Sequence, residues 1–233
     1  MDIKSDQRVL IVAKTGGGKT HLAKHITRDY PHLVAYDQKR DLEIPNARVL
    51  ESVQELKKAP GGRFVFRPPA RAIANKAAKR ALLNDLFWTI YQKGNMVVWL
   101  DEVYAVMPKA GQEPDGLQAI ITQGRSMNIG LIALTQFTAN MQLFKHQAEH
   151  FFIFRLRGEH ERKRAYELIG ADTVSLDAKQ YEFFYLSEED EEPTKDRLDA
   201  KGRSATGTSY KIVPAKLVAN KDQAAAKRRY RVL

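Results

Sequence analysis

RVLIVAKTGGGKTHLAKHI, residues 8–26, decides the reading of this chain. Five apolar residues, Val9–Ala13, are followed after Lys14 and Thr15 by three consecutive glycines, and a Lys-Thr pair then opens a stretch with apolar residues at helical spacing. Glycine is the costliest residue to order, so a triplet persists where the backbone needs unusual dihedrals or a close approach. The segment 13–20, AKTGGGKT, fits the phosphate-binding pattern G-x-x-x-x-G-K-[ST], with Ala13 in the first glycine position. Such a loop turns successive backbone N–H groups inward around phosphate oxygens, and the following helix adds its positive N-terminal end. Ala13 departs from the pattern, but it closes the strand and does not need a positive φ. The loop therefore predicts nucleotide contacts from Ala13, Lys14, Thr15, Gly16, Gly17, Gly18, Lys19 and Thr20. Lys19 reaches the β- and γ-phosphates of ATP, and Thr20 ligates Mg²⁺.

Outward from this stretch, β-branched runs alternate with helix-length segments. Arg8–Ala13, Leu33–Tyr36, Arg63–Arg67, Met96–Leu100, Ile129–Leu134, Phe151–Leu156 and Tyr181–Leu186 read as strands. Lys19–Tyr30, Ala70–Lys93, Leu117–Arg125 and Glu159–Ile169 read as helices, the second stopped by Gly94. Strands separated by helix-sized spacers need crossovers, so the fold class is α/β with a mainly parallel sheet flanked by helices. Phe87, Trp88 and Tyr91 fall at helical spacing beside Leu83 and Leu86 and read as core.

A second motif lies in MVVWLDEVY, residues 96–104, an apolar strand that ends in Asp101 and Glu102. At the C-terminal edge of a parallel sheet both carboxylates face the nucleotide crevice. Asp101 would support Mg²⁺, and Glu102 would deprotonate the attacking water. The adjacent glutamate favours hydrolysis over kinase chemistry, and no Asn-Lys-x-Asp guanine motif is present. A third motif, GRSMNIGLIALTQ at 124–136, carries a strand into Thr135-Gln136, placing the Gln136 amide where it senses the γ-phosphate. Arg125 precedes that strand, where it can project to a neighbouring subunit.

Together the three motifs resemble the FtsK–HerA superfamily of DNA-pumping ATPases, over residues 7–157. The compact core is most similar to the genome-packaging ATPases of tailless, membrane-containing viruses. The resemblance implies a P-loop NTPase of the ASCE, RecA-like type that hydrolyses ATP with Mg²⁺ to drive double-stranded DNA into a preformed capsid. It implies a homo-oligomeric ring, a hexamer, with capsid or virion membrane proteins as further partners. The expected location is the host cytoplasm and a packaging vertex of the virion. Within this reading Glu102 is the general base, Gln136 the sensor, Lys19 the phosphate ligand and Arg125 the finger supplied in trans, with Arg155 and Arg157 as its substitutes. A translocase or helicase of DNA repair or plasmid transfer, and a nucleotide-binding assembly protein with little turnover, remain alternatives at this point.

The remaining features bound these readings. The chain of 233 residues has 43% hydrophobic residues, enough for one sizeable core. It has no cysteine, which excludes disulfides and thiolate metal sites and fits a reducing compartment. The apolar runs are strand-sized, too short for a transmembrane segment, and the polar start MDIKSDQR is no signal sequence. A net charge of +10 is compatible with a polyanionic partner. HQAEH at 146–150 matches the H-x-x-E-H zinc-peptidase pattern, but the stretch is short and reads better as a surface helix. After the acidic run Glu188–Glu192 the final 41 residues carry 11 Lys or Arg against 3 Asp. The expected division is a P-loop domain over 1–192 and a basic arm over 193–233 that docks on DNA, a neighbouring subunit or a capsid component. Lys109, in the loop Pro108–Gly116, is a further candidate DNA contact facing a central pore.

Overall fold

The computed structural model describes residues 1–107, 111–136, 144, 146–156, 158–169, 178–199 and 203–215. In chain order the strands are β1 (Asp2–Lys4), β2 (Arg8–Val12), β3 (Leu33–Tyr36), β4 (Arg48–Leu50), β5 (Arg63–Phe66) and β6 (Met96–Leu100). They continue with β7 (Ile129–Thr135), β8 (His150–Phe154), β9 (Glu182–Ser187), β10 (Thr194–Arg197) and β11 (Lys211–Val213). The helices are α1 (Lys19–Thr27), α2 (Val53–Lys58), α3 (Ala70–Ala74), α4 (Lys76–Lys93), α5 (Val103–Val106), α6 (Asp115–Gln123) and α7 (Glu159–Ile169).

Among the described residues nine strands form one sheet in the order β10-β9-β8-β2-β7-β6-β3-β5-β4, and β1 pairs with β11 in a separate two-stranded ribbon. From β8 to β4 every pairing is parallel, while β9 and β10 are added antiparallel at one edge. The P-loop α/β class expected from the sequence is the observed one. Alternation along β2 splits the core into two layers, as the two-residue period of a strand requires. Leu10 and Val12 face the layer containing Leu86, Phe87 and Ile120, whereas Val9 and Ile11 face the layer containing Leu22, Ile26 and Phe152. Phe87 and Tyr91 are buried, in line with their reading as core.

Two expectations are corrected. The helix expected over 70–93 is broken at Asn75, whose φ of −109° and ψ of 120° are extended. Its side chain accepts the Ala78 N–H at 3.0 Å and so caps α4, an alternative to helix continuation that asparagine offers. Of the arm expected from residue 193, the described stretches 193–199 and 203–215 are drawn into the fold. β10 pairs with β9, and β11 pairs with β1. The turn between them is held by the buried Asp196, which accepts from Thr206 Oγ1 at 3.0 Å and Tyr210 Oη at 2.9 Å. One buried carboxylate with several hydroxyl donors fixes a segment whose composition reads as solvated. The basic residues of 216–233, together with Lys109, lie outside the described residues.

Candidate nucleotide site

The site is built at the C-terminal ends of β2, β7 and β6, which the strand order sets side by side. Val12 pairs with Thr135 across β2 and β7, and Leu100 pairs with Ala133 across β6 and β7. β7 is thus the strand that brings Gln136 between the glycine loop and the acidic pair.

The three glycines have separate causes. Gly16 and Gly18 hold φ of 73° and 109°, in the left-handed region that L side chains rarely enter. Gly17 does not, but a Cβ there would lie 2.9 Å from Ala13 Cβ and 3.0 Å from the Lys14 carbonyl oxygen. Gly18 is also the N-cap of α1, and among the described residues no side chain caps that end. The first N–H groups of the helix are therefore left to an anion. Lys19 is buried, and its Nζ donates to the carbonyls of Ala13 at 2.6 Å and Lys14 at 3.2 Å. Burial pulls its ammonium below the ordinary lysine range, against the opposing fields of Glu102 and Asp101. An incoming polyphosphate supplies the counter-charge that these neutral carbonyls lack.

Thr20 Oγ1 donates to Asp101 Oδ1 at 3.3 Å. Burial raises the Asp101 carboxyl above its usual range, with the Thr20 hydrogen bond and the Lys39 charge opposing. These two hard oxygen donors at adjoining positions suit Mg²⁺. Gln136 joins the remaining parts. Its Oε1 accepts from Thr15 Oγ1 at 2.8 Å, and its Nε2 donates to Glu102 Oε2 at 3.1 Å. An ionised Glu102 is an acceptor only, so the amide nitrogen must face it and the amide oxygen must face Thr15. Among the described residues Glu102 Oε1 has no hydrogen-bond partner, so this buried acceptor is open to a water molecule placed for attack. A cleft of about 210 Å³ opens before the acidic pair and is also lined by Asp37, Lys39 and Tyr104. Sequence reasoning missed Lys39, which sits in a featureless loop, and the role of Asp37. The latter is buried, pairs with Arg67 at 3.1 Å and accepts the N–H groups of Arg40 and Leu42, so it fixes the loop that carries Lys39.

Arg125 is not part of this cluster. It lies in a 3₁₀ turn, Gly124–Met127, that precedes β7, so the seven residues of β7 separate it from Gln136. At about 3.3 Å per residue the intervening strand is roughly 23 Å long. At that far edge Arg125 pairs with the buried Glu149, and its charge, after burial, helps to lower the Arg8 guanidinium to about 10. Arg155 follows β8 and is exposed on the phosphate-loop edge, while Arg157 lies outside the described residues.

The HQAEH stretch is not a surface helix either. His146 is in a turn, Glu149 accepts the Arg8 N–H at 2.6 Å, and His150 opens β8. Helical i, i+4 adjacency fails because the chain turns extended at the last residue of the motif. Among the described residues no group of three or more His, Asp or Glu is placed to hold a metal ion. His150 is buried between Tyr185 Oη and Gln7 Oε1, each at 2.9 Å. Burial lowers its pKa to about 4. A cation disfavoured in the folded state costs stability below the unfolded pKa near 6.5, so this contribution is present at neutral pH and is lost as pH falls toward 4. Urea unfolding of the wild type and His150→Gln should show the stability difference shift by about 2–3 kcal/mol against the wild type between pH 7 and pH 4.5. A difference independent of pH would mean that His150 is not buried as a neutral imidazole.

No family model matches the chain. The chain is 30% identical over 176 residues to the DNA packaging ATPase P9 of Enterobacteria phage PRD1, covering 73% of each protein. Its fold is similar to that of the genome packaging NTPase B204 of Sulfolobus turreted icosahedral virus 2. That match has a TM-score of 0.68 and 18% identity, and covers 83% of this chain and 96% of that one. A further likeness is to VirB4 of Thermoanaerobacter pseudethanolicus, with a TM-score of 0.61, 12% identity, and coverage of 83% and 89%. These distant likenesses show a shared fold. The P9 match spans nearly three quarters of both chains, and it identifies this chain as a member of the viral DNA packaging ATPases to which P9 belongs.

Proposed function

We propose that this protein is an ATPase that moves double-stranded DNA into a preformed viral capsid. The single observation that carries the chemistry is the hydrogen-bonded path Thr15–Gln136–Glu102, which ties the phosphate loop to the carboxylate with the orphaned oxygen. In this reading Gly16, Gly17, Gly18 and Lys19 bind the phosphates of ATP, and Thr20 and Asp101 hold Mg²⁺. Glu102 takes the proton of the attacking water, and Gln136 couples that step to the loop. The membership in a packaging family supports DNA as the cargo, and the positive charge of the chain suits a phosphate backbone. A homo-oligomeric ring of six subunits, contacts with capsid proteins, and action in the host cytoplasm or at a virion vertex complete the proposal. Among the described residues no helix is long and apolar enough to cross a membrane.

Double-stranded DNA should stimulate ATP turnover, with little dependence on base sequence. Affinity should fall linearly on a logarithmic salt scale, and 6–10 neutralised phosphates would give a loss of about 10³–10⁵ between 50 and 200 mM salt. Turnover indifferent to DNA at every salt concentration would refute the motor. The basic contacts are best tested by removing residues 216–233. A cut after Glu192 would also take β10 and β11 out of their sheets. The shorter deletion should weaken DNA binding or assembly and leave ATP binding intact.

A further inference from the structure

The path of a bound nucleotide is constrained at one end. Asp101, Glu102 and Gln136 all lie on the β7–β6 side of the phosphate loop, so the terminal phosphate of a triphosphate points that way. The remainder of the molecule must leave the loop on the opposite side, where β8, β9 and β10 continue the sheet. There the structure holds an open cleft of about 1040 Å³, lined by His21, Tyr181, Arg197, Asp199, Arg203 and Ser204.

We propose that Tyr181 is the stacking platform for the nucleobase of the bound triphosphate, with Asp199, Arg203 and Ser204 as the far wall of that subsite. The proposal rests on the nucleotide-site reading above and adds its base-binding half. Tyr181, which immediately precedes β9, is a large aromatic side chain left 45% exposed, although Phe152 of β8, Phe183 and Tyr185 of β9, and Tyr210 just before β11 form a buried aromatic cluster. Its backbone φ is 65°, a left-handed conformation that bulky residues seldom adopt and that persists where its surroundings enforce it. This conformation lays the ring against the phosphate loop. A Cβ on Gly18 would meet Tyr181 Cδ1 at 3.3 Å and the buried Phe154 at 3.1 Å. Gly18 thus does two things: it supplies the left-handed turn, and it leaves space for a ring beside the first turn of α1.

The opposite wall is held in place independently of any ligand. Asp199 and Arg203 are joined by backbone and side-chain bonds, with Arg203 Nε donating to Asp199 Oδ2 at 2.8 Å. His21, one residue beyond Thr20, contacts the Asp199 carbonyl oxygen at 3.1 Å and so links this wall to α1. Ser204 Oγ is anchored on Asp196 at 2.5 Å. The result is a slot with an aromatic face at the phosphate end and polar side chains opposite, Arg197 and the Asp199–Arg203 pair among them. It suits a flat heterocycle with hydrogen-bonding edges.

The test compares equilibrium binding of ATP and of inorganic tripolyphosphate, which has no base, to the full chain. Stacking on one aromatic side chain is strong enough that Tyr181→Ala should weaken ATP about 10- to 100-fold. The same variant should bind tripolyphosphate as the wild type does, and Tyr181→Phe should keep wild-type affinity for both. In turnover the Tyr181→Ala effect should fall on KM and leave kcat unchanged. Wild-type ATP affinity in Tyr181→Ala overturns the proposal, and so does an equal loss of both ligands, which would mark Tyr181 as a support of the loop. Lys19→Ala separates the two levels of inference. It should lose both ligands, and if it binds both normally then the nucleotide-site reading fails and the base subsite with it.

Discussion

Glu102→Gln should lower ATP turnover by about 10²–10⁴-fold, the usual worth of a positioned general base, while ATP affinity stays near that of the wild type. The substitution keeps the shape of the side chain and removes its basicity. It keeps the hydrogen-bonded route from position 102 through Gln136 to the loop, and although the field of Glu102 on Lys19 is lost, Asp101 still opposes the effect of burial there. The Gln136 amide can still donate to the new carbonyl oxygen, so the path to Thr15 survives. What disappears is the acceptor at the orphaned Oε1 position, where an amide NH₂ would face the site instead. Single-turnover hydrolysis and equilibrium ATP binding separate the two effects. Wild-type hydrolysis in Glu102→Gln would remove Glu102 from the role of base. Loss of binding along with hydrolysis would make it a structural support of the loop.

The site was legible in the sequence to the extent that its parts are local. A glycine triplet before Lys-Thr, and a strand ending in two acids, carry their chemistry in a few consecutive residues. The fold then only has to align strand ends, which parallel pairing does without further specification. Gln136 was legible for the same reason. What composition concealed was set by tertiary partners. The stretches 194–199 and 203–215 are polar and basic, yet two β-pairings and the buried Asp196 hold them in the fold. Tyr181 and Lys39 carry no motif, because their positions come from left-handed backbone and from a loop pinned by Asp37. HQAEH failed in the opposite sense. Its spacing is informative only on a helix, and there the chain is entering β8.

Arg125→Ala should also stop turnover in the assembled protein, by about 10³-fold or more, if its guanidinium completes the site of a neighbouring subunit. The geometry excludes any service to its own nucleotide, since β7 stands between Arg125 and Gln136. If a head-to-tail ring sets this far edge against the next subunit, the cation there is available to that neighbour. Negative charge builds on the transferring phosphoryl group, and a fixed cation stabilises it at little reorganisation cost. The ion pair with Glu149 provides the fixing, because a carboxylate held by the Arg8 N–H sets the position of the guanidinium it binds. The competing reading is that this pair is structural only. Removing Arg125 would then leave a buried carboxylate uncompensated and destabilise every subunit that carries the change. Mixing two inactive proteins, Arg125→Ala and Glu102→Gln, decides between them. In a shared ring some interfaces unite an intact Glu102 with an intact Arg125 from the next subunit, so part of the ATPase activity should return. A structural defect confined to the Arg125→Ala subunits gives no such recovery. If the two proteins co-assemble and no mixture regains turnover, the finger must be sought at Arg155, which stands exposed on the phosphate-loop edge.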